Sequence, residues 1–171
     1  MTADTLVDQL ADALRTRGWC IATAESCTGG LIAAACTDLA GSSDWFERGV
    51  VSYSNAAKTE LLGVDAALIE AHGAVSEPVA RAMAAGALAR SAADLSVAVT
   101  GVAGPGGGSA SKPVGMVWLA WAWRAADGQV QTEAQVEHFD GDRAAVRQAT
   151  VVRALQGLLR QAQASPGTAG A

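Results

Sequence analysis

Apolar positions along this chain alternate between a helical and an extended period. Leu6, Val7, Leu10, Ala11 and Leu14 recur at helical spacing, which predicts an opening helix over 4–16, ended by Gly18. A strand at 19–24 follows, with Trp19, Cys20, Ile21 and Ala22, then a polar junction and an apolar helix over 30–38. Gly41-Ser42-Ser43 reads as a turn, and the valine-rich stretch from Glu47 to Tyr53 as a second strand. Asn55 is expected to cap a short helix that carries Lys58, Leu61 and Leu62. Ser76-Glu77-Pro78 starts another helix, with proline in its first turn and Val79, Met83, Ala84, Ala87 and Leu88 on its core face.

Leu95 to Val99 is a continuous apolar run, as in a strand buried on both faces, and it ends in Thr100-Gly101. Gly104 to Ser109 holds too many glycines for regular structure and must be a loop. Val114 to Trp123 and Val130 to Phe139 predict two strands joined at Ala126-Asp127-Gly128, antiparallel because the link is short. On the first of them Trp121 and Trp123 share one face and Trp118 takes the other. A last helix over 142–160 should turn Val146, Ala149, Val152, Leu155 and Leu159 inward. The Ser-, Pro- and Gly-containing tail over 164–171 is expected to be disordered. With no internal repeat and no linker, residues 1–163 form one α/β domain: a mixed sheet of five strands, one antiparallel, with helices on both faces.

Composition narrows the picture without changing it. Half the residues are hydrophobic and 17% are charged, which suits a compact soluble domain rather than a disordered chain. No apolar run approaches the roughly 20 residues that span a bilayer. The opening segment carries acids, unlike a signal peptide, so no membrane association and a cytoplasmic location are expected. A net charge of −5 argues against a nucleic-acid partner. An anionic ligand would need local donors working against that field. Cys20, Cys27 and Cys36 lack C-x-x-C spacing, so neither a disulfide framework nor a zinc site is expected; Cys20 and Cys36 read as reduced core residues. No metal and no cofactor is called for.

The candidate chemistry sits at the junction Ala24-Glu25-Ser26-Cys27-Thr28-Gly29-Gly30. Polar residues between a strand and a helix lie at the carboxyl edge of a sheet, where open α/β folds bind ligands. Ser26 is either a nucleophile, with N–H groups over Thr28, Gly29 and Gly30 as an oxyanion hole, or simply a helix N-cap. Cys27 is the better intrinsic nucleophile but needs a histidine or a positive setting. His72, beside a turn, and His138, late in a strand, offer no recognisable partnership. Lys58 could serve as general base only with its pKa well below the ordinary value of about 10.4. It lies one helical turn beyond the second strand, so it shares a rim with Ser26 if the first two strands are parallel neighbours. Tyr53, the only tyrosine, could orient that base or donate a hydrogen bond. The glycine-rich loop lacks the ending of a P-loop and the spacing of a dinucleotide fingerprint. Thr100 is the better polar contact there. Arg143 could hold a phosphate through its planar fork, or else pair with Asp140 or Asp142.

Five motifs occur in order: Ala-Glu-Ser-Cys-Thr-Gly-Gly, Tyr-Ser-Asn-x-x-Lys, His-Gly-Ala-Val-Ser-Glu, Thr-Gly-x-Ala-Gly-Pro and Lys-Pro-Val-Gly. Together they resemble the C-terminal domain of the competence/damage-inducible protein CinA, also found as stand-alone nicotinamide-nucleotide amidohydrolase, over about residues 5–160. The resemblance implies a three-layer α/β/α sandwich and deamidation of nicotinamide mononucleotide to nicotinate mononucleotide and ammonia, in pyridine-nucleotide recycling. It matches Ser26 to the nucleophile and Lys58 to the base, with Tyr53 beside them. It matches Thr100 and Arg143 to substrate-binding positions; Thr28, Gly29, Gly30, Asn55 and Gly101 are also expected to border the substrate. A small molecule is then the partner, and a homo-oligomer, first of all a dimer, is expected. The rival reading is a non-catalytic nucleotide-sensing or partner-binding domain with the same pocket. The Gly-Gly-Ser-Ser signature of the Ser-Ser-Lys amidases is absent.

Overall fold

The structure, a computed structural model, describes residues 1–164; the expected disorder of the tail falls almost wholly outside them. The elements run α1 (Ala3–Arg17), β1 (Ile21–Glu25), α2 (Leu31–Thr37), β2 (Phe46–Val51), α3 (Asn55–Leu62), α4 (Ala66–His72), α5 (Glu77–Ala89), β3 (Leu95–Gly101), β4 (Met116–Arg124), β5 (Val130–His138) and α6 (Arg143–Gln163). The strands form one sheet in the order β2-β1-β3-β4-β5. β1 pairs in parallel with β2 and β3, while β4 runs antiparallel to both β3 and β5. One antiparallel strand in a five-strand sheet is thus the arrangement found.

Period-two alternation sorts the core into two layers. Val97, Val99, Leu119 and Trp121 point toward α1, α2 and α6, where Leu10, Leu14, Ile32 and Leu155 meet them. Ala98, Ala120 and Ala122 point the other way, onto Met83, Ala84, Ala87 and Leu88 of α5. Large residues fill one layer, and alanines let α5 approach closely in the other. Trp121 and Trp123 face the α6 side and Trp118 the α5 side, as alternation requires. Among the described residues no helix is long and apolar enough to cross a membrane.

Several local expectations are corrected. Ser54, not Asn55, caps α3: its backbone is extended and its hydroxyl accepts from Ala57 N–H at 3.0 Å, while Asn55 is already helical. Helix α4 escaped the sequence reading because it is short; Asp65 caps it, and His72 is its last residue. The inward face of α6 is wider than one stripe, since the helix packs on both α1 and the sheet. Thr150, Val151, Ala154 and Leu158 are buried with Val146, Leu155 and Leu159, whereas Ala149 and Val152 are only half-buried. Cys20 is half-buried at the amino end of β1 rather than in the core, while Cys36 is fully buried.

Because β2 and β3 flank β1 on opposite sides, the connections run to one side of β1 and then to the other, and a crevice opens at its carboxyl end. Glu25 stands level with Val51 and Val99, so the ends of the three parallel strands share one rim. The segments leaving β1, β2 and β3 meet there.

Candidate active site

The turn leaving β1 is built around a buried carboxylate. Glu25, 1% exposed, accepts from Thr28 Oγ1 at 2.6 Å, Ile32 N–H at 2.9 Å and Ala33 N–H at 3.0 Å. These bonds consume the first free N–H groups of α2, which would otherwise attract an anion. Gly29 and Gly30 follow with φ of 60° and 105°, left-handed conformations that suit residues without a Cβ. The turn thereby lifts Ser26 onto the rim, 8% exposed.

From the neighbouring strand's end, α3 brings Lys58 underneath. Its side chain is 1% exposed, and Nζ lies 3.0 Å from Ser26 Oγ, 3.0 Å from the Ser52 carbonyl and 3.1 Å from the Tyr53 carbonyl. Burial lowers the Lys58 pKa from the usual lysine range, and no carboxylate pairs with it among the described residues. Three acceptors match the three N–H bonds of an ammonium. A neutral amine would instead donate to the two carbonyls and accept from the Ser26 hydroxyl. The site therefore satisfies either protonation state without moving. Burial pushes the adjacent Cys27 thiol up to about 11, so it is not ionised at neutral pH.

Ser26, Cys27, Lys58, Thr100, Gly101 and Arg143 line one cleft of ≈ 220 Å³, together with Tyr53 and Asn55. Sequence reasoning missed Ala74, Val75 and Ala103, which also line it. Small apolar residues carry no chemical signal, although Ala74 and Val75 lie in the His-Gly-Ala-Val-Ser-Glu motif and Ala103 in Thr-Gly-x-Ala-Gly-Pro. Thr100 acts there indirectly: its hydroxyl donates to the Ala74 carbonyl at 2.9 Å. Tyr53 meets the buried pair through its carbonyl, whereas its phenol, in a residue 59% exposed, accepts from Arg143 Nη2 at 3.2 Å. Arg143 Nη1 donates to the Gly104 carbonyl at 2.9 Å. The alternative salt bridge to Asp140 or Asp142 does not form among the described residues; Asp142 caps α6, accepting from Ala145 N–H at 2.9 Å. The guanidinium so has only neutral acceptors, and beyond it opens a second cavity of ≈ 670 Å³.

Thr28, Gly29 and Gly30 do not line the cleft. The Thr28 hydroxyl is spent on Glu25, and the Gly29 N–H donates to the Ser26 carbonyl at 3.1 Å. An oxyanion hole using the Gly29 N–H is therefore corrected: the tight turn closes on itself. Within the turn, the N–H groups of Cys27 and Thr28 bond to no backbone or side-chain oxygen among the described residues. His72 and His138 stand apart from the cleft.

Residues 3–162 match the CinA C-terminal domain. The chain belongs to that family. It is 55% identical to nicotinamide-nucleotide amidohydrolase PncC of Enterobacter agglomerans, covering 90% of this chain and 91% of that one. With a CinA-like protein of Mycolicibacterium gilvum it shares 57% identity over 95% of this chain, which spans 37% of that longer relative. The crystal structure of the competence/damage inducible protein CihA from Agrobacterium tumefaciens superposes with a TM-score of 0.87 at 46% identity, covering 94% and 96% of the two chains. The family match over residues 3–162 spans the positions that line the cleft.

Proposed function

We propose that this chain is an amidohydrolase of nicotinamide mononucleotide, with Ser26 as nucleophile and Lys58 as its general base. The observation that carries the reading is the buried 3.0 Å contact between Lys58 Nζ and Ser26 Oγ. A lysine without a counter-ion in a desolvated site favours the neutral amine, which is what a base requires.

In this reading Ser26 Oγ attacks the carboxamide carbon as its proton passes to Nζ. The carbonyl oxygen takes up the negative charge facing the unbonded backbone N–H of Cys27, the turn residue beside Ser26 that lines the cleft. The lysine ammonium, held by the Ser52 and Tyr53 carbonyls, then returns the proton to the departing nitrogen; the C–N bond breaks and ammonia leaves. Water attacks the acyl ester by the same route, giving the carboxylate and restoring Ser26. The pyridinium charge assists by drawing electrons from the carbonyl. Arg143, in no ion pair among the described residues, suits the phosphate of the nucleotide at the cleft's outer end. Asn55 and Gly101 border the substrate, and Thr100 holds the Ala74 wall in place. The same small-molecule chemistry calls for no nucleic-acid or membrane partner and fits a cytoplasmic enzyme.

The test is ammonia release from nicotinamide mononucleotide, with nicotinamide riboside and simple aryl amides as controls. Turnover that prefers the phosphorylated substrate and vanishes in Ser26→Ala is expected. Binding without ammonia release would favour a nucleotide sensor instead.

A further inference from the structure

The nucleophile turn is clamped from behind by a side chain that the proposed chemistry does not use. Arg147, one helical turn along α6 from Arg143, donates from Nε to the Cys27 carbonyl at 3.2 Å and from Nη2 to the Thr28 carbonyl at 3.0 Å. It makes no ion pair among the described residues, so its charge is directed onto these two peptide groups. Nη2 also lies 3.6 Å from where a Cβ on Gly29 would stand, which places the guanidinium directly against the turn. Across the turn, Glu25 binds the Thr28 hydroxyl and the start of α2. A segment with two consecutive left-handed glycines has many alternative conformations, and these two charged groups restrict it to one.

We propose that Arg147 is a positioning residue for the nucleophile: by holding the Cys27 and Thr28 carbonyls it keeps the Ser26 hydroxyl against Lys58. Because a trans peptide sets its C=O and N–H in opposite directions, holding the Cys27 carbonyl also fixes where the Thr28 N–H points. The fork of Arg is needed, since two acceptors on successive peptides are engaged at once. The inference rests on Ser26 being the nucleophile, and its test separates the two ideas.

Arg147→Met, Arg147→Lys and Ser26→Ala are made in the full chain and assayed on nicotinamide mononucleotide, with a thermal melt for each. Methionine retains most of the alkyl stem and none of the donors. In Arg147→Met, kcat should fall about tenfold to a hundredfold, the range that a misplacement of about 1 Å produces. KM should hold within about threefold, because the phosphate and ring contacts are untouched. The pH midpoint of kcat should also stay put, since Lys58 keeps its surroundings. Arg147→Lys should fold like the parent and show an intermediate kcat, its ammonium lacking the two-pronged geometry. Full kcat in either folded variant overturns the proposal, as does a rise in KM that accounts for the whole loss, or a loss that merely follows the unfolded fraction. Activity surviving in Ser26→Ala overturns the nucleophile assignment itself. An inactive Ser26→Ala beside a fully active Arg147→Met would sink only the positioning role.

Discussion

Lys58 and Arg143 stand at two ends of one cleft and carry charge under opposite conditions. Lys58 is 1% exposed and surrounded by two carbonyls and a hydroxyl, so burial makes its charge conditional. Arg143 is exposed and donates to the Gly104 carbonyl and the Tyr53 phenol. In the proposed mechanism, desolvation lets one basic side chain carry a proton, while the exposed one serves as an anchor for an anion. That proposal gives the chemistry to the buried end and recognition to the open one.

Breaking the buried end should have the largest effect. Ser26→Ala and Lys58→Ala are each expected to lower kcat by about a thousandfold or more, and the double variant by little beyond either, because the pair acts as a unit. Additive losses would show that the two do not share a step. Ser26 is not the helix cap that its place in the sequence also allows, because Gly30 stands at the N-cap of α2; retained folding, checked by thermal melting, separates the catalytic loss from a purely structural one.

The same contrast has a pH signature. With its folded-state pKa lowered, Lys58 binds fewer protons in the native than in the unfolded chain over the window up to about 10.4. Stability from this group therefore increases as pH rises through that window and is lost as pH falls through the folded-state value. Activity should follow the same limb, with a midpoint below the usual lysine range, since only the neutral amine accepts the Ser26 proton. Lys58→Met should abolish the dependence in denaturant titrations. A pH–rate midpoint at the ordinary lysine value would refute the desolvated base.

At the open end the effects are smaller and selective. Arg143→Ala should lower kcat/KM for the phosphorylated substrate about tenfold to a hundredfold, the value of a charge-assisted pair of roughly 1.5–3 kcal/mol. The riboside should barely change; equal losses on both would make Arg143 structural. Tyr53→Phe removes only the phenol contact with Arg143 and keeps the carbonyl that holds Lys58, so a loss below about tenfold is expected.

The smallest effect should come from between the two ends. Cys27→Ala should keep most activity, because a buried thiol with its pKa near about 11 is not a nucleophile at neutral pH. Inactive Cys27→Ala beside active Ser26→Ala would reverse the assignment and make this a thiol enzyme.

Much of this contrast is legible in the sequence. The placement of Ser26 and Lys58 on one rim followed from two strand-to-helix junctions and the assumption that β1 and β2 are parallel neighbours, which they are. Arg143 was legible as a cation opening the last helix. Two details were not. Asn55 and Ser54 are equally good caps by type, and only the extended backbone of Ser54 decides between them. Likewise, Gly29 and Gly30 read as an anion cradle, yet Glu25 fills the helix start with its own carboxylate. A glutamate at a strand end carries no sign, in sequence, of whether it faces water or the turn.

Hydrophobic periodicity, with cap and turn signals, determined every helix but α4, the buried strands and the two faces of β4, because each depends on spacing within one short segment. The order β2-β1-β3-β4-β5 and the approach of Lys58 and Arg147 to a turn many residues away were decided only by tertiary packing. Local pattern fixes which face of an element is apolar, but the groups brought against its ends depend on how all the elements dock. The pKa of Lys58 belongs to that second class: nothing in Asn55-Ala56-Ala57-Lys58 lowers it, and the burial that does arises from the assembled rim.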